Sequence, residues 1–257
     1  MVTLSEIRDE FQQRLLTSIY RGSDSSSLVL KGGAAMRVLT ASARYTQDLD
    51  FDHDPHRSLA SLQTTMRSAI ERALRGSGLV LIAVSEPKHT DTVARWKISA
   101  RTGGGEALHL AVEVSRRRTP DLDHVLRIPI QISDRTLPRV YVSVYDERAL
   151  ADNKVAALLD DRRVAPRDIY DLELLLARGV CPSAAMVEQS GGRTALIRRL
   201  SEKLELMNWS LFRDQVLPTL PREIQVNIDE DAYLATKIRL LEALDRCLSA
   251  PAELPRP

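Results

Sequence analysis

Apolar side chains recur at the helical period over TLSEIRDEFQQRLLTSIY, residues 3–20, which predicts an amphipathic helix capped by Thr3 or Ser5 with acids in its first turn. The pattern then shortens. SSSLVLKGG reads as a brief strand that ends in a turn at Gly32 and Gly33, and AAMRVLTAS as a short helix. DLDFDHD alternates with period 2 and stops at Pro55, so it is a strand. HRSLASLQTTMRSAIERALRGSG returns to helical spacing and ends at Gly76 and Gly78. Next come strand-like LVLIAVSE, TVARWKISA, ALHLAVEVS, LRIPIQIS and RVYVSVYD, with the turn Gly103-Gly104-Gly105 between the second and third. The N-terminal half is therefore a mixed α/β module of roughly six strands.

After Asp146 the period is 3.6 throughout. ERALADNKVAALLDDRR, PRDIYDLELLLARG, TALIRRLSEKLELM and DEDAYLATKIRLLEALDRCL all read as helices. Pro166 suits a helix start and Gly179 the position just past a helix end. The fold class is α+β, with one domain over 1–146 and a helical domain over 147–257. Only APAELPRP at the end reads as a loose tail.

Composition narrows the function. Hydrophobic residues make up 44 % of 257, enough for a substantial core, and the net charge of +1 argues against a protein that simply coats nucleic acid. A local basic cleft for a nucleotide or RNA remains compatible with that balance. Aromatics, at 4 %, are too few for a base-stacking platform. No apolar run approaches a membrane span. Cys181 and Cys247 are far apart and lack metal-ligand spacing; with no signal peptide apparent, a reducing cytoplasm is expected. His53 and His56 have no partners at ligand spacing, so zinc is not expected.

The candidate chemistry lies in LKGGAAMRVL…DLDFD. A strand that feeds Gly32-Gly33 and then a helix points backbone N–H groups at one spot, which favours an anion such as a triphosphate. Asp48 and Asp50, two apart on a strand, share a face and can cradle Mg²⁺, whose remaining shell would be phosphate oxygens and water. Taken singly, a glycine pair is only a turn and a DxD only a solvated strand face; their order behind a strand-turn-helix is the specific signal. Asp52 keeps the same face but is expected outside the first metal shell.

Glu113 stands among apolar neighbours on ALHLAVEVS and is either a third carboxylate, as metal ligand or base, or one half of an ion pair with Arg116, Arg117 or Arg118. Lys154 is a natural counter-charge for a triphosphate. Asp168 and Asp171 face one way near a helix start, where an acid also complements the helix dipole. Arg95, Lys97, Arg101 and Arg116 to Arg118 are either a solvated sheet edge or a track for a phosphate backbone.

Together, LKGGAAMRVL…ARYTQDLDFD and NKVAALLDDRRVAPRDIYDLELL resemble the AbiEii/MenT family of nucleotidyltransferase-like toxins, of the DNA polymerase β-type nucleotidyltransferase superfamily, over roughly residues 25–178. The resemblance implies that Lys31, Gly32, Gly33, Arg44 and Lys154 bind the nucleotide. It also implies that Asp48 and Asp50 bind Mg²⁺, with Lys154 and Asp168 completing the catalytic set from the helical domain; Glu113 does not carry over from the family. The implied protein is a cytoplasmic toxin of a bacterial toxin–antitoxin pair that moves NMP from an NTP to the 3′ end of tRNA or another RNA. Its antitoxin need not touch it, and no membrane is involved. Many relatives carry Ser or Thr beside the glycines, where Ala34 and Ala35 stand here, so a hydroxyl contact to phosphate is missing or supplied elsewhere. Two rival readings remain: transfer to a protein side chain or small molecule, and a non-catalytic binding module of the same fold.

Overall fold

A computed structural model of the chain describes residues 2–22, 27–130 and 137–249. It comprises two compact units: residues 1–41 with 45–146, and residues 42–44 with 147–257.

The first unit is built on a mixed sheet of seven strands: β1 (Leu28–Lys31), β2 (Asp48–His53), β3 (Val80–His89), β4 (Val93–Arg101), β5 (Ala107–Ser115), β6 (Val125–Pro129) and β7 (Tyr141–Tyr145). Their order is β3-β4-β5-β2-β1-β7-β6. β1 lies antiparallel to β2, while β1–β7 and β2–β5 are parallel. Of LRIPIQIS, the strand ends at Pro129, and the stretch after residue 130 falls outside the described residues, as does the C-terminal tail.

Among the described residues, three α-helices complete this unit: α1 (Leu4–Tyr20), α2 (Gly32–Thr40) and α3 (Leu59–Leu74). Thr3, not Ser5, caps α1: its Oγ1 accepts from the Glu6 N–H at 3.2 Å, while Glu6 Oε2 accepts from the Thr3 N–H at 2.6 Å. The apolar stripe Phe11, Leu15, Leu16 and Ile19 is buried, as are Leu62, Met66 and Ile70 of α3, which packs on α1. Period-2 alternation sends Trp96, Ile98, Leu110, Val112, Leu49 and Phe51 into this core. Their neighbours along β2, β4 and β5 are left for the other face.

The second unit is helical: α4 (Glu147–Leu159), α5 (Pro166–Ala177), α6 (Ala184–Gln189), α7 (Arg193–Leu206), α8 (Trp209–Gln215), α9 (Arg222–Gln225) and α10 (Glu230–Ser249). Pro166 opens α5, and Gly179, at φ 80°, follows its end, where its N–H donates to the Leu176 carbonyl at 2.9 Å. Helices α6, α8 and α9 are too short to show a period, which is why the hydropathy pattern does not predict them. α10 packs on α5 and α7 through Leu240 and Leu244. Tyr233 stacks on Phe212 at 4.4 Å between centroids. No helix among the described residues is long and apolar enough to cross a membrane.

The structure joins Cys181 and Cys247 in a disulfide, with Cα atoms 5.6 Å apart. Nothing local in the sequence marks the pair, because a separation of 66 residues says nothing of how closely α10 returns to the end of α5. Closing so long a loop restricts the unfolded chain by about 4 kcal/mol in the chain-entropy treatment. Reduction is therefore expected to lower the melting temperature of the helical unit, and Cys181→Ser to reproduce that drop. Identical melting with and without dithiothreitol would show that the bond contributes nothing.

Candidate active site

In the first unit, β1 carries the chain to Lys31, and Gly32 turns it into α2 with φ 68°. A Cβ at Gly32 would lie 2.6 Å from Oδ2 of Asp50, well inside contact distance. Only glycine permits both the left-handed backbone and this approach. The α2 N-terminus and the DxD strand are thus pressed together. Lys31 and Asp50 are direct partners in the β1–β2 ladder.

Asp48 and Asp50 alternate with buried Leu49 and Phe51, and both are half-buried on the face away from the core. Arg8 of α1 donates to the His109 carbonyl at 3.2 Å. Burial holds the Arg8 pKa below its usual value, and the charge of Asp48 acts in the opposite sense.

Asp52 differs from its two companions. It is buried, and its carboxylate is satisfied by Lys31 Nζ at 2.6 Å and the Tyr145 hydroxyl at 2.9 Å. The Tyr145 phenol is pushed up by burial first, then by the neighbouring Asp52 charge. Asp52 thus serves as an internal tie between β1, β2 and β7, and Lys31 directs its ammonium at this tie. Lys31→Met would leave Asp52 without its counter-ion. The expected cost is about 1–3 kcal/mol, below that of a fully buried pair because Lys31 is partly exposed, and Asp52→Asn should recover part of it. Denaturant midpoints of the single and double variants measure this. Unchanged stability with weakened nucleotide affinity would instead assign Lys31 to the nucleotide.

Glu113 stands beside Asp50 in the β2–β5 ladder and opposite Arg95 in the β4–β5 ladder. Arg95 grips its carboxylate through Nε, at 2.9 Å, and Nη2. The ion-pair reading of Glu113 is therefore realised, but with Arg95 rather than Arg116, Arg117 or Arg118. Arg116 is buried, and its Nη2 donates to the Pro55 and Arg57 carbonyls. Among the described residues no three Asp, Glu, His or Cys side chains are grouped to hold a metal ion, so Asp48, Asp50 and Glu113 do not form a ready-made triad. The physical reason is that Glu113 Oε2 already accepts from both Nε and Nη2 of Arg95.

Asp48 and Asp50 present hard carboxylate oxygens from one strand face, the donor type that Mg²⁺ takes, and the missing Cβ of Gly32 lets Asp50 Oδ2 lie against the start of α2.

The helical unit holds a second charged constellation. Asp168 and Asp171 lie three apart on α5 and share a face. Lys154 of α4 donates to Asp168 at 2.9 Å and to Asp171 at 2.5 Å. Arg44, in the 42–44 segment that belongs to this unit, makes a fork to Asp171 through Nε at 2.9 Å and Nη2 at 2.7 Å. Arg163 reaches Asp168 at 3.2 Å. Arg44, Lys154, Asp168 and Asp171 are all buried. Burial alone would raise the Asp171 pKa; Lys154 and Arg44 outweigh it and hold the carboxyl at about 2. Burial likewise works against charge on Lys154 and Arg44, and the two aspartates hold both above their usual values. Asp168 is thus engaged by cations and is more than a charge at a helix start. Asp171, three residues on, is the hub of the network, although the sequence reading gave it no role of its own.

The seven-stranded mixed sheet with its glycine turn and DxD strand, followed by a helical unit, is the architecture of a nucleotidyltransferase. JHP933 from Helicobacter pylori shares the fold at a TM-score of 0.61, with 19 % identity over 96 % of this chain and 94 % of that one. MenT4, a nucleotidyltransferase toxin of Mycobacterium tuberculosis H37Rv, shares it at a TM-score of 0.57, with 17 % identity over 97 % of this chain and 86 % of that one. The family model described as nucleotidyl transferase AbiEii toxin, type IV toxin–antitoxin system, matches residues 14–248, and the chain belongs to that family. A search of curated proteins finds no match.

Proposed function

We propose that this toxin-family nucleotidyltransferase moves NMP from an NTP to the 3′ end of an RNA, with tRNA the favoured acceptor. The observation that carries the reading is the contact of the Gly32 turn with Asp50, with Asp48 on the same strand face. Backbone N–H groups at the start of α2 would receive the triphosphate. Asp48 and Asp50 would hold Mg²⁺, which supplies positive charge against the charge that develops on the transferred phosphoryl group. The acceptor hydroxyl oxygen forms a bond to the α-phosphorus and gives up its proton to water, the bond from that phosphorus to the bridging oxygen breaks, and pyrophosphate leaves with the electron pair. Orientation of the two reactants provides much of the acceleration.

Lys154 and Asp168 enter the proposal through the family motif; their mutual ion pair makes them a unit, so loss of either should disturb the other. A cognate antitoxin follows from the family.

Incubation of the protein with each labelled NTP, Mg²⁺ and total tRNA tests the reading. Label is expected in RNA with at least one NTP. Label that appears only in protein or in a small molecule moves the acceptor to that class, and no transfer by a folded sample to any acceptor refutes the reading.

A further inference from the structure

We propose that the open face of β5, β4 and β3 is the track along which a single-stranded RNA acceptor approaches Asp48 and Asp50. This rests on the nucleotidyl-transfer reading and adds the surface that receives the acceptor. The ladder registers define it. From Asp48 a row runs across the sheet through Ala111 and Lys97 to Ser85. A neighbouring row runs from Asp50 through Glu113 to Arg95. Beyond these, Ser99 faces His109 and Arg101 faces Ala107. Cross-strand partners share a face, so all these side chains stand on the side opposite buried Trp96, Ile98, Leu110 and Val112.

Three properties of the face fit a nucleic-acid strand. Arg95, Lys97 and Arg101 stand on one face of one strand, roughly 7 Å and then roughly 13 Å apart with Ser99 between the last two, a line of cations. Arg95 is matched by Glu113, but Lys97 and Arg101 are exposed, and among the described residues neither has an ion-pair partner. The positions between them are small: Ala111, Ser99, Ala83 and Ser85 allow a chain to lie close to the sheet. No Phe, Tyr or Trp ring stands on this face of β3, β4 or β5: Trp96 is turned into the core, and the His109 imidazole is engaged by Ser99 at 3.1 Å. Binding should therefore depend on phosphates, be sensitive to salt and tolerate changes of sequence. Across two strand spacings, roughly 10 Å, Lys97 is close enough to Asp48 for an RNA end bound here to reach the carboxylates.

The test measures fluorescence anisotropy of a short labelled single-stranded RNA over a range of salt, for the wild type, Lys97→Ala, Lys97→Ala/Arg101→Ala and the control Arg213→Ala. Binding of a non-hydrolysable NTP with Mg²⁺, and melting, are recorded for each. The double variant is expected to lose at least about tenfold in RNA affinity at low salt, and its log–log salt slope to fall by about 1.4, or 0.7 for each lost phosphate contact. Its NTP binding and melting should match the wild type, and Arg213→Ala should be unchanged throughout. RNA affinity and slope that survive both substitutions, or a wild type that does not bind RNA, overturn the proposal. If the wild type fails to bind NTP, the nucleotidyl-transfer reading falls instead, and the RNA result still decides whether this face is a track.

Discussion

Asp171→Ala is expected to cost the helical unit about 3–5 kcal/mol, the scale for removing one partner from a buried ion network. Asp171 is fully buried and receives three charge-assisted hydrogen bonds, two from Arg44 and one from Lys154. Its removal takes both fork bonds from a buried guanidinium and leaves Lys154 bonded to Asp168. Against a typical domain stability of about 5–15 kcal/mol, such a loss unfolds a sizeable fraction of molecules. Circular dichroism in denaturant would read it, with Asp171→Asn intermediate because its amide oxygen can still accept. The same residue sets an acid dependence. Its folded pKa of about 2 lies below the ordinary 3.8, so the folded state binds the proton less readily than the unfolded one. The stabilisation is complete above about pH 4 and is lost as pH falls from 4 towards 2. Wild type should lose stability steeply across that window, whereas Asp171→Asn should show a shallower slope there. A variant whose acid profile overlays the wild type would remove Asp171 from the account.

The second large effect is expected at Gly32, and on activity more than on stability. Gly32→Ala places a methyl group 2.6 Å from Asp50 Oδ2 on a backbone with φ 68°. The left-handed conformation alone costs roughly 1–2 kcal/mol for a residue with a side chain. The carboxylate must also move, and a displacement on the order of 1 Å in a catalytic constellation can lower the rate about a hundredfold. Gly103→Ala is the matched control: its added Cβ meets nothing within 4 Å. Nucleotidyl-transfer rates should fall sharply for Gly32→Ala and stay level for Gly103→Ala. Equal rates for the two would mean that the contact between the glycine turn and Asp50 has no catalytic consequence.

Much of the fold was legible because hydropathy has a period in each element. The DLDFDHD strand, the Gly32 turn and the helices α1, α3, α4, α5, α7 and α10 all follow from local spacing. Pairings were less legible. Glu113 read either as a third carboxylate of the site or as the partner of an arginine at 116 to 118; its partner is Arg95, 18 residues away. The signal was present, since a hairpin folded about Gly104 sets Arg95 opposite Glu113, but it requires register as well as period. Lys31 carried no local mark that would distinguish a phosphate ligand from the partner of Asp52. Tyr145, more than ninety residues from Asp52, joins that pair only through the order of β1, β2 and β7. The Arg44–Asp171 fork and the Cys181–Cys247 bond are likewise products of tertiary return, which a single sequence does not encode in any short window.

The three aspartates of the DLDFD strand differ in their setting. Asp52 has Lys31 and Tyr145, while Asp48 and Asp50 lie half-buried beside the Gly32 turn. The central claim is that these two form the nucleotidyl-transfer centre. Release of pyrophosphate from NTP in the presence of Mg²⁺ and tRNA, compared between wild type and Asp48→Asn/Asp50→Asn, tests it most directly. The account predicts release by the wild type and a loss of at least about a thousandfold in the double variant, with melting unchanged or raised by relief of carboxylate repulsion. Release that persists in a folded double variant would contradict it.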